Sequence, residues 1–282
     1  MPIFDQGYRH YEARLPLRQI RFWPITRESL RLILAKRAFL GLLAVSFLPF
    51  VVRVIQVYIV TRFPEAGRVI PVDGRLFGEF LNQQIGFTIL LSIFGAAGLV
   101  ANDLRTGAIL VYLSRPLTRR DYVFGKLCVP LALNLAVTLV PALALYAVAL
   151  GLAPDQFLQW ELAWIGPAIL VHSLTISLFV SLLVLAVSAL SRSARVAGLA
   201  FFGLVFGLEM VRLILQHGLG RAEAMLVSLL ADMRALGAAL FGLTDTELLA
   251  VPWPAPAVVL VLVALGCLAV LRARVRAVEI VT

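Results

Sequence analysis

The chain has 282 residues, of which 61% are hydrophobic, and it carries a formal net charge of +9. Its mean hydropathy of +0.95 and its apolar content exceed those of soluble domains, in which about 45–50% of residues are apolar. These values exclude a soluble globular protein. They also leave no need for a nucleic-acid partner, because anionic lipid accounts for the basic charge.

The chain begins with a basic segment, residues 1–37, whose last part reads ITRESLRLILAKR. Thr26 is predicted to be the N-cap of a helix with one apolar face and a ring of arginines. We expect this amphipathic helix to lie on the cytoplasmic leaflet, with Trp23 at headgroup depth. A charged stop before the first span is the alternative. Because the first apolar run starts only near residue 38, we expect no cleavable signal peptide.

Six apolar runs follow, and each can reach the length of about 20 residues that a hydrocarbon core requires. Backbone groups inside a bilayer must pair within their own segment, so these runs should be helices. The prediction is an all-α polytopic membrane protein with one domain, residues 38–271, and a basic cytoplasmic tail, residues 272–282. The predicted spans are Ala38–Val60, Ile85–Ala101, Leu127–Leu150, Ala163–Leu190, Val196–Gln216 and Trp253–Leu271.

The arginines and lysines predict the orientation of these spans. With both termini in the cytoplasm, the cytoplasmic segments hold 18 of the 25 Lys and Arg residues, and the outer loops hold five. Cytoplasmic segments of membrane proteins are enriched in Lys and Arg. We therefore expect an integral membrane protein with cytoplasmic N- and C-termini.

The segment between the second and third spans, residues 102–126, is short, basic and half apolar. A helix from about Leu104 to Ser114 would present apolar residues flanked by Arg105 and Arg115, and Pro116 would end it. Such a helix could enter a groove on a soluble partner or lie on lipid headgroups. The candidate interface residues are Asp103, Leu104, Arg105, Gly107, Ile109, Leu110, Tyr112, Leu113, Arg115 and Pro116.

The last outer loop, residues 217–252, has apolar residues at helical spacing over Arg221–Leu240. This pattern predicts an extracytoplasmic amphipathic helix that rests on, or dips into, the outer leaflet. A solvated loop is the alternative, and it explains the repeated leucines poorly.

Three charged residues fall within predicted spans: Arg53, Glu209 and Arg212. A charge at mid-bilayer costs about 2.5–3.5 kcal/mol on insertion scales, so each needs a partner or a function. Arg53 and Glu209 have matching depths and could pair, either within one chain or across a dimer. Arg212 could instead pair with Glu209 within its own helix. A charged gate or substrate contact is the functional alternative.

Motifs for catalysis are absent from the sequence. It contains no GxxxxGK[ST] phosphate loop, no HExxH zinc motif and no GxSxG nucleophile elbow. We therefore expect no catalytic residue, metal or cofactor in this chain.

The sequence GLVANDLRTGAILVYLSRPLTRRDYVFGK, residues 98–126, resembles the membrane subunit of ABC-2 type transporters. The chain departs from the family pattern at Arg105, where an acidic residue usually precedes Gly-Thr. The matching positions are Asp103, Gly107, Leu110, Leu113, Ser114, Arg115, Pro116, Arg119, Gly125 and Lys126.

The resemblance implies that the loop is a coupling helix seated in a separate ABC ATP-binding subunit, present in two copies, which binds ATP and Mg²⁺. It also implies a second permease subunit, in a homodimer or heterodimer, and a bacterial inner-membrane location. Family members mostly export lipids, polysaccharides, drugs or proteins, or assist processes of the cell envelope, and we expect this chain to export a lipid, amphiphile, polysaccharide or drug. Two alternatives stay open: a secondary transporter or channel without an ATPase, and a membrane anchor for an ATPase that does mechanical work.

Overall fold

The computed structural model describes residues 22–63, 72–108, 118–152, 163–219, 222–243 and 251–275. Within these ranges the chain is helical and contains no strand, which confirms the all-α fold class. The α-helices are α1 Trp23–Leu34, α2 Arg37–Val45, α3 Leu48–Arg62, α4 Gly74–Gly95, α5 Ala101–Thr106, α6 Arg119–Leu152, α7 Ile165–Leu190, α8 Ala194–Leu219, α9 Leu229–Leu240 and α10 Pro254–Arg274, with a 3-10 helix at Ala222–Val227.

Five helical segments in the described ranges are long and apolar enough to cross a membrane. They are the joined pair α2–α3, then α6, α7, α8 and α10. The predicted count of six spans is therefore not confirmed. The predicted second span corresponds to α4, whose middle turn carries the three consecutive amides Asn82, Gln83 and Gln84. These side chains lower the hydropathy of a helix that still packs against α6 and α7.

Helix α7 lies at the centre of the bundle and packs against α4, α6, α8 and α10. In its most apolar stretch 72% of the residues are buried, against 17% in α8. Exposed apolar side chains on the outer helices are expected where lipid replaces water as the solvent. The centre of the bundle is thus formed by protein, and its periphery is suited to acyl chains.

Helices α2 and α3 form one span with a break at Ser46 and Phe47. Pro49 has no N–H to donate to the preceding turn, which explains the break. The Ser46 carbonyl accepts a hydrogen bond of 3.1 Å from the Gln84 side chain of α4. An amide that lowers the hydropathy of α4 therefore satisfies the backbone of its neighbour.

Polar side chains inside the bundle bond to one another. Asn134 of α6 donates to Ser92 of α4 at 3.3 Å and to Ser181 of α7 at 3.2 Å. The Thr138 and Ser177 hydroxyls are 3.1 Å apart. Interhelical hydrogen bonds of this kind hold helices together where lipid removes the hydrophobic driving force.

Helix α1 begins earlier than the sequence predicts. Its N-cap position is Phe22 and its first residue is Trp23, so the prediction of Thr26 as N-cap is wrong. The Thr26 hydroxyl instead donates to the Gly125 carbonyl of α6 at 2.8 Å. A threonine that resembled a capping residue thus serves as a contact between two helices.

Candidate functional site

The candidate site is the base of the basic loop, where α4 turns into the short helix α5. Ser188 of α7 holds this turn: its hydroxyl accepts hydrogen bonds from the Val100 and Ala101 amides at 3.2 and 3.0 Å. The same hydroxyl donates to the Ala97 carbonyl at 2.6 Å. One buried side chain therefore satisfies three backbone groups and fixes the turn to the central helix.

Helix α5 ends at Gly107, which has φ 69°. This left-handed conformation is the usual end of a helix, and glycine adopts it without the strain that a Cβ atom imposes. The predicted single helix from Leu104 to Ser114 is therefore wrong at its start, because the helix that contains Leu104 stops at Thr106. The chain changes direction at Gly107.

The two ends of the basic loop are joined by an ion pair. Lys126 Nζ of α6 lies 2.8 Å from Asp103 Oδ2 of α5, and the two side chains are only 5% and 16% exposed. The Tyr122 hydroxyl donates to the same carboxylate oxygen at 2.8 Å. Hydrogen bonds between ionised groups are shorter and stronger than those between neutral groups. This ion pair therefore holds the two ends of the loop together at its base.

The far end of the loop enters α6 through a capping box. The Thr118 hydroxyl accepts from the Asp121 amide at 3.2 Å, and Asp121 Oδ2 accepts from the Thr118 amide at 3.0 Å. These bonds satisfy N–H groups that have no partner within the helix. They set the residue at which α6 starts.

Helix α1 packs closely on the first turns of α6. A Cβ atom added at Gly125 would lie 3.1 Å from the Phe22 carbonyl oxygen and 3.3 Å from Ile25 Cβ. The rings of Phe22 and Phe124 meet edge to face with centroids 4.7 Å apart. Glycine at position 125 thus permits an approach that a larger residue would prevent, and α1 joins the same site.

The structure places four of the ten predicted interface residues. Asp103 is in the ion pair, Leu104 and Arg105 are exposed on α5, and Gly107 ends that helix. The remaining six lie outside the described residues: Ile109, Leu110, Tyr112, Leu113, Arg115 and Pro116.

The Arg53–Glu209 pair, which the sequence left open as one of two possibilities, does not form within the chain. Arg53 lies 3.2 Å from the Glu79 carboxylate of α4 and donates to Gln56 at 3.1 Å. Glu79 also pairs with Arg75 at 3.0 Å. Arg53 is thus held by a closer helix, and depth alone did not identify its partner.

Glu209 pairs with Arg212 one turn along α8, at 2.8 Å, which is the alternative that the sequence left open. Ser228, the N-cap of α9, donates to the same carboxylate, and Arg234 of α9 lies 3.9 Å from it. The carboxylate therefore joins α8 to the helix that follows it. These contacts favour a structural role for Glu209 and Arg212.

Two further polar side chains are buried near the α9 end of the bundle. Asp232 of α9 and His172 of α7 are fully buried, and neither side chain has a hydrogen-bond partner among the described residues. Burial raises the pKa of Asp232 to about 7. A Cβ atom added at Gly237 would lie 2.6 Å from His172 Nε2. Within the described ranges, no group of His, Cys, Asp and Glu side chains could hold a metal ion.

Sequence reasoning did not assign roles to Lys126, Tyr122 and Ser188, which build the base of the loop. The pairing of Lys126 could have been predicted from one feature of the sequence, because Lys126 is a cation at one end of a loop whose other end carries the anion Asp103. The role of Ser188 could not have been predicted, because one serine in an apolar run does not show which backbone groups its hydroxyl will bond to.

These features define the class of the protein: an integral membrane bundle with a basic loop whose ends are fixed to its central helices. A family model described as ABC-2 family transporter protein matches residues 23–270. The chain belongs to this family, since the match covers most of its length. A search of curated proteins found no match to the chain.

Proposed function

We propose that the chain is the permease subunit of an ABC-2 type transporter and exports a substrate with energy from a separate ATP-binding subunit. The family match supports the transport class, and the sequence supports the division of labour because it holds no phosphate loop. ATP and Mg²⁺ would be bound by the partner, so this chain would have no enzymatic activity of its own. Lipids, amphiphiles, polysaccharides and drugs are the candidate substrates.

The observation that carries this proposal is the way the base of the loop is joined to the bundle. Asp103 and Lys126 connect α5 to α6, and Ser188 connects the turn before α5 to α7. A displacement of α5 would therefore be transmitted through these contacts to two long helices, α6 and α7. This is the property that a coupling helix between an ATPase and a permease requires.

The same proposal assigns sides and partners. The end of the bundle that bears the basic loop, α1 and the end of α10 would face the cytoplasm of a bacterial inner membrane, as the excess of Lys and Arg there indicates. Helix α9 would lie on the outer side. Two permease subunits, identical or different, would pair, and each would bind one ATP-binding subunit.

Co-purification from native membranes in mild detergent tests this proposal. The wild-type chain should bring down an ATP-binding subunit in equal amount, and Leu110→Arg/Leu113→Arg should lose it. The control is Glu223→Arg, which adds positive charge at an exposed site near α9, at the opposite end of the bundle. That control should keep the partner.

Two results would count against the proposal in different ways. Retention of the ATPase by Leu110→Arg/Leu113→Arg would move the interface away from the loop but leave the class intact. Absence of any ATPase with the wild type, in a detergent that preserves other membrane complexes, would favour a secondary transporter or channel.

A further inference from the structure

A cleft of about 750 Å³ opens at the arginine-rich end of the bundle, between the start of α6, the end of α10 and the residue that precedes α1. Arg119 and Arg120 of α6 and Arg272 of α10 line it. The cleft is separate from the Asp103–Lys126 ion pair, since neither of those residues is among those that line it.

The described lining of the cleft carries more positive than negative charge. None of its three arginines forms an ion pair with another described residue. Among the described lining residues the one carboxylate is Asp121, and its Oδ2 accepts hydrogen bonds from the Thr118 amide and hydroxyl at 3.0 and 2.8 Å. Three guanidinium groups beside one engaged carboxylate attract an anion, and guanidinium groups match phosphate oxygens in geometry.

Apolar side chains also line the cleft, among them Phe22, Phe124, Leu127 and Leu268. At a rise of about 1.5 Å per residue, Leu127 lies roughly 12 Å along α6 from Arg119, and Leu268 lies roughly 6 Å along α10 from Arg272. Both leucines belong to helices that are apolar enough to cross a membrane. The cleft therefore runs from headgroup level into the acyl region.

We propose that this cleft binds an anionic phospholipid from the surrounding leaflet. Arg119, Arg120 and Arg272 would hold the phosphodiester, and an acyl chain would lie against Leu127 and Leu268. A free phosphate would leave the apolar depth of the cleft unused. A zwitterionic headgroup carries its own cationic group, which the three arginines would repel. An anionic headgroup has no such group. The proposal does not depend on which substrate the chain transports.

The test is native mass spectrometry of the purified full-length chain, titrated with phosphatidylglycerol and with phosphatidylcholine of the same acyl chains. The wild type should bind phosphatidylglycerol at least about tenfold more tightly, since each arginine near an anionic lipid contributes a preference of roughly fivefold. Arg119→Gln/Arg272→Gln should lose most of this preference. Circular dichroism checks that the helices of each variant are intact.

The matched control is Arg192→Gln/Arg195→Gln. Arg192 lies in the connection from α7 to α8 and Arg195 in the first turn of α8, at the same end of the bundle. Both are exposed, and neither lines the cleft. This variant loses the same charge and should keep the preference to within about twofold. If the paired cleft variant fails to fold, Arg272→Gln alone provides the test, with an expected loss of about fivefold.

Three outcomes would overturn the proposal. Equal losses in the cleft and control variants would mean that lipid is attracted by total charge. Equal binding of phosphatidylglycerol and phosphatidylcholine would mean that the arginines do not select the headgroup. Competition by soluble glycerol 3-phosphate would show a site for a free anion, with no part for the acyl chain.

Discussion

Lys126 and Asp103 form a 2.8 Å ion pair across the base of the basic loop, and both side chains are largely shielded from solvent. The pair joins the first turns of a long spanning helix to the short helix α5. Its shielding makes it different from the exposed pair between Glu28 and Arg31 of α1, where the side chains are 60% and 80% exposed.

We expect Asp103→Asn and Lys126→Met each to lower the free energy of unfolding by about 3 kcal/mol, because each leaves a buried charge without its partner. The double variant should cost less than the sum of the two, since both charges are then gone. Glu28→Gln, at the exposed pair, should cost less than about 1 kcal/mol. Thermal unfolding in detergent measures all four. Additive losses in the double variant would contradict the idea that the two charges act as a pair.

Gly237→Ala should destabilise the protein by about 1–3 kcal/mol, because the added methyl group would lie 2.6 Å from His172 Nε2 in a packed interior. Gly203→Ala in α8 is the control, since nothing lies within 4 Å of its added Cβ atom. That helical substitution should be neutral or stabilising.

The same clash predicts a rescue. His172→Ala/Gly237→Ala should be more stable than Gly237→Ala alone, because the smaller residue gives the new methyl group room. Thermal unfolding of the double variant, of Gly237→Ala and of the control Gly203→Ala tests this. A double variant no more stable than Gly237→Ala would show that the clash with His172 is not the cause of the destabilisation.

Asp232 predicts a dependence of stability on pH. Its pKa is raised to about 7 from an ordinary value of 3.8, so the folded state holds the proton more tightly than the unfolded state. The stabilising contribution of the protonated carboxyl is complete below about pH 3.8 and is lost as the pH rises through about 7. The wild type should therefore melt at a lower temperature at pH 8.5 than at pH 5.

Asp232→Asn removes the titrating group and should flatten this dependence, with a clear gain in melting temperature at pH 8.5. Glu223→Gln, an exposed site close by in sequence, is the control and should leave the dependence in place. An unchanged slope in Asp232→Asn would assign the pH dependence to another group.

Ser228→Ala should loosen the contact between α8 and α9, since its hydroxyl caps α9 by accepting from the Ala231 amide at 3.2 Å and also donates to Glu209. A lost cap costs about 1 kcal/mol, and a buried carboxylate left short of a donor adds to that. Limited proteolysis should cut the α8–α9 connection faster in this variant. Ser228→Thr keeps the hydroxyl and should restore protection, and equal cleavage of all three proteins would refute the role of the cap.

The sequence was sufficient to place the most apolar spans. The prediction Val196–Gln216 corresponds to α8, Ala194–Leu219, and Ala163–Leu190 corresponds to α7, Ile165–Leu190. Apolar runs bounded by arginine or tryptophan mark such helices clearly, because burial in hydrocarbon depends on composition. Helix α4 was harder to place, because its three consecutive amides lower its mean hydropathy, although Gln84 bonds to the backbone of a neighbouring helix.

Side-chain partners were not predictable in the same way. Arg53 pairs with Glu79 because α3 and α4 are adjacent, and adjacency of helices is not encoded in the depth of a residue along its span. The Arg212–Glu209 pair could be foreseen because residues three apart on a helix are neighbours. Ion pairs within one helix could therefore be predicted from the sequence. Ion pairs between helices could be identified only once the packing of the helices was known.

Photocrosslinking at Arg105 tests the central claim most directly. A photoreactive amino acid placed at this exposed position of α5 should crosslink, in native membranes, to a soluble ATP-binding subunit that mass spectrometry can identify. The same probe at Glu223, at the opposite end of the bundle, should not. An ATPase crosslinked from Arg105 alone is the predicted result. Crosslinks from Arg105 to lipid only, or the same partners from both sites, would contradict the assignment of the basic loop as the contact with an ATPase.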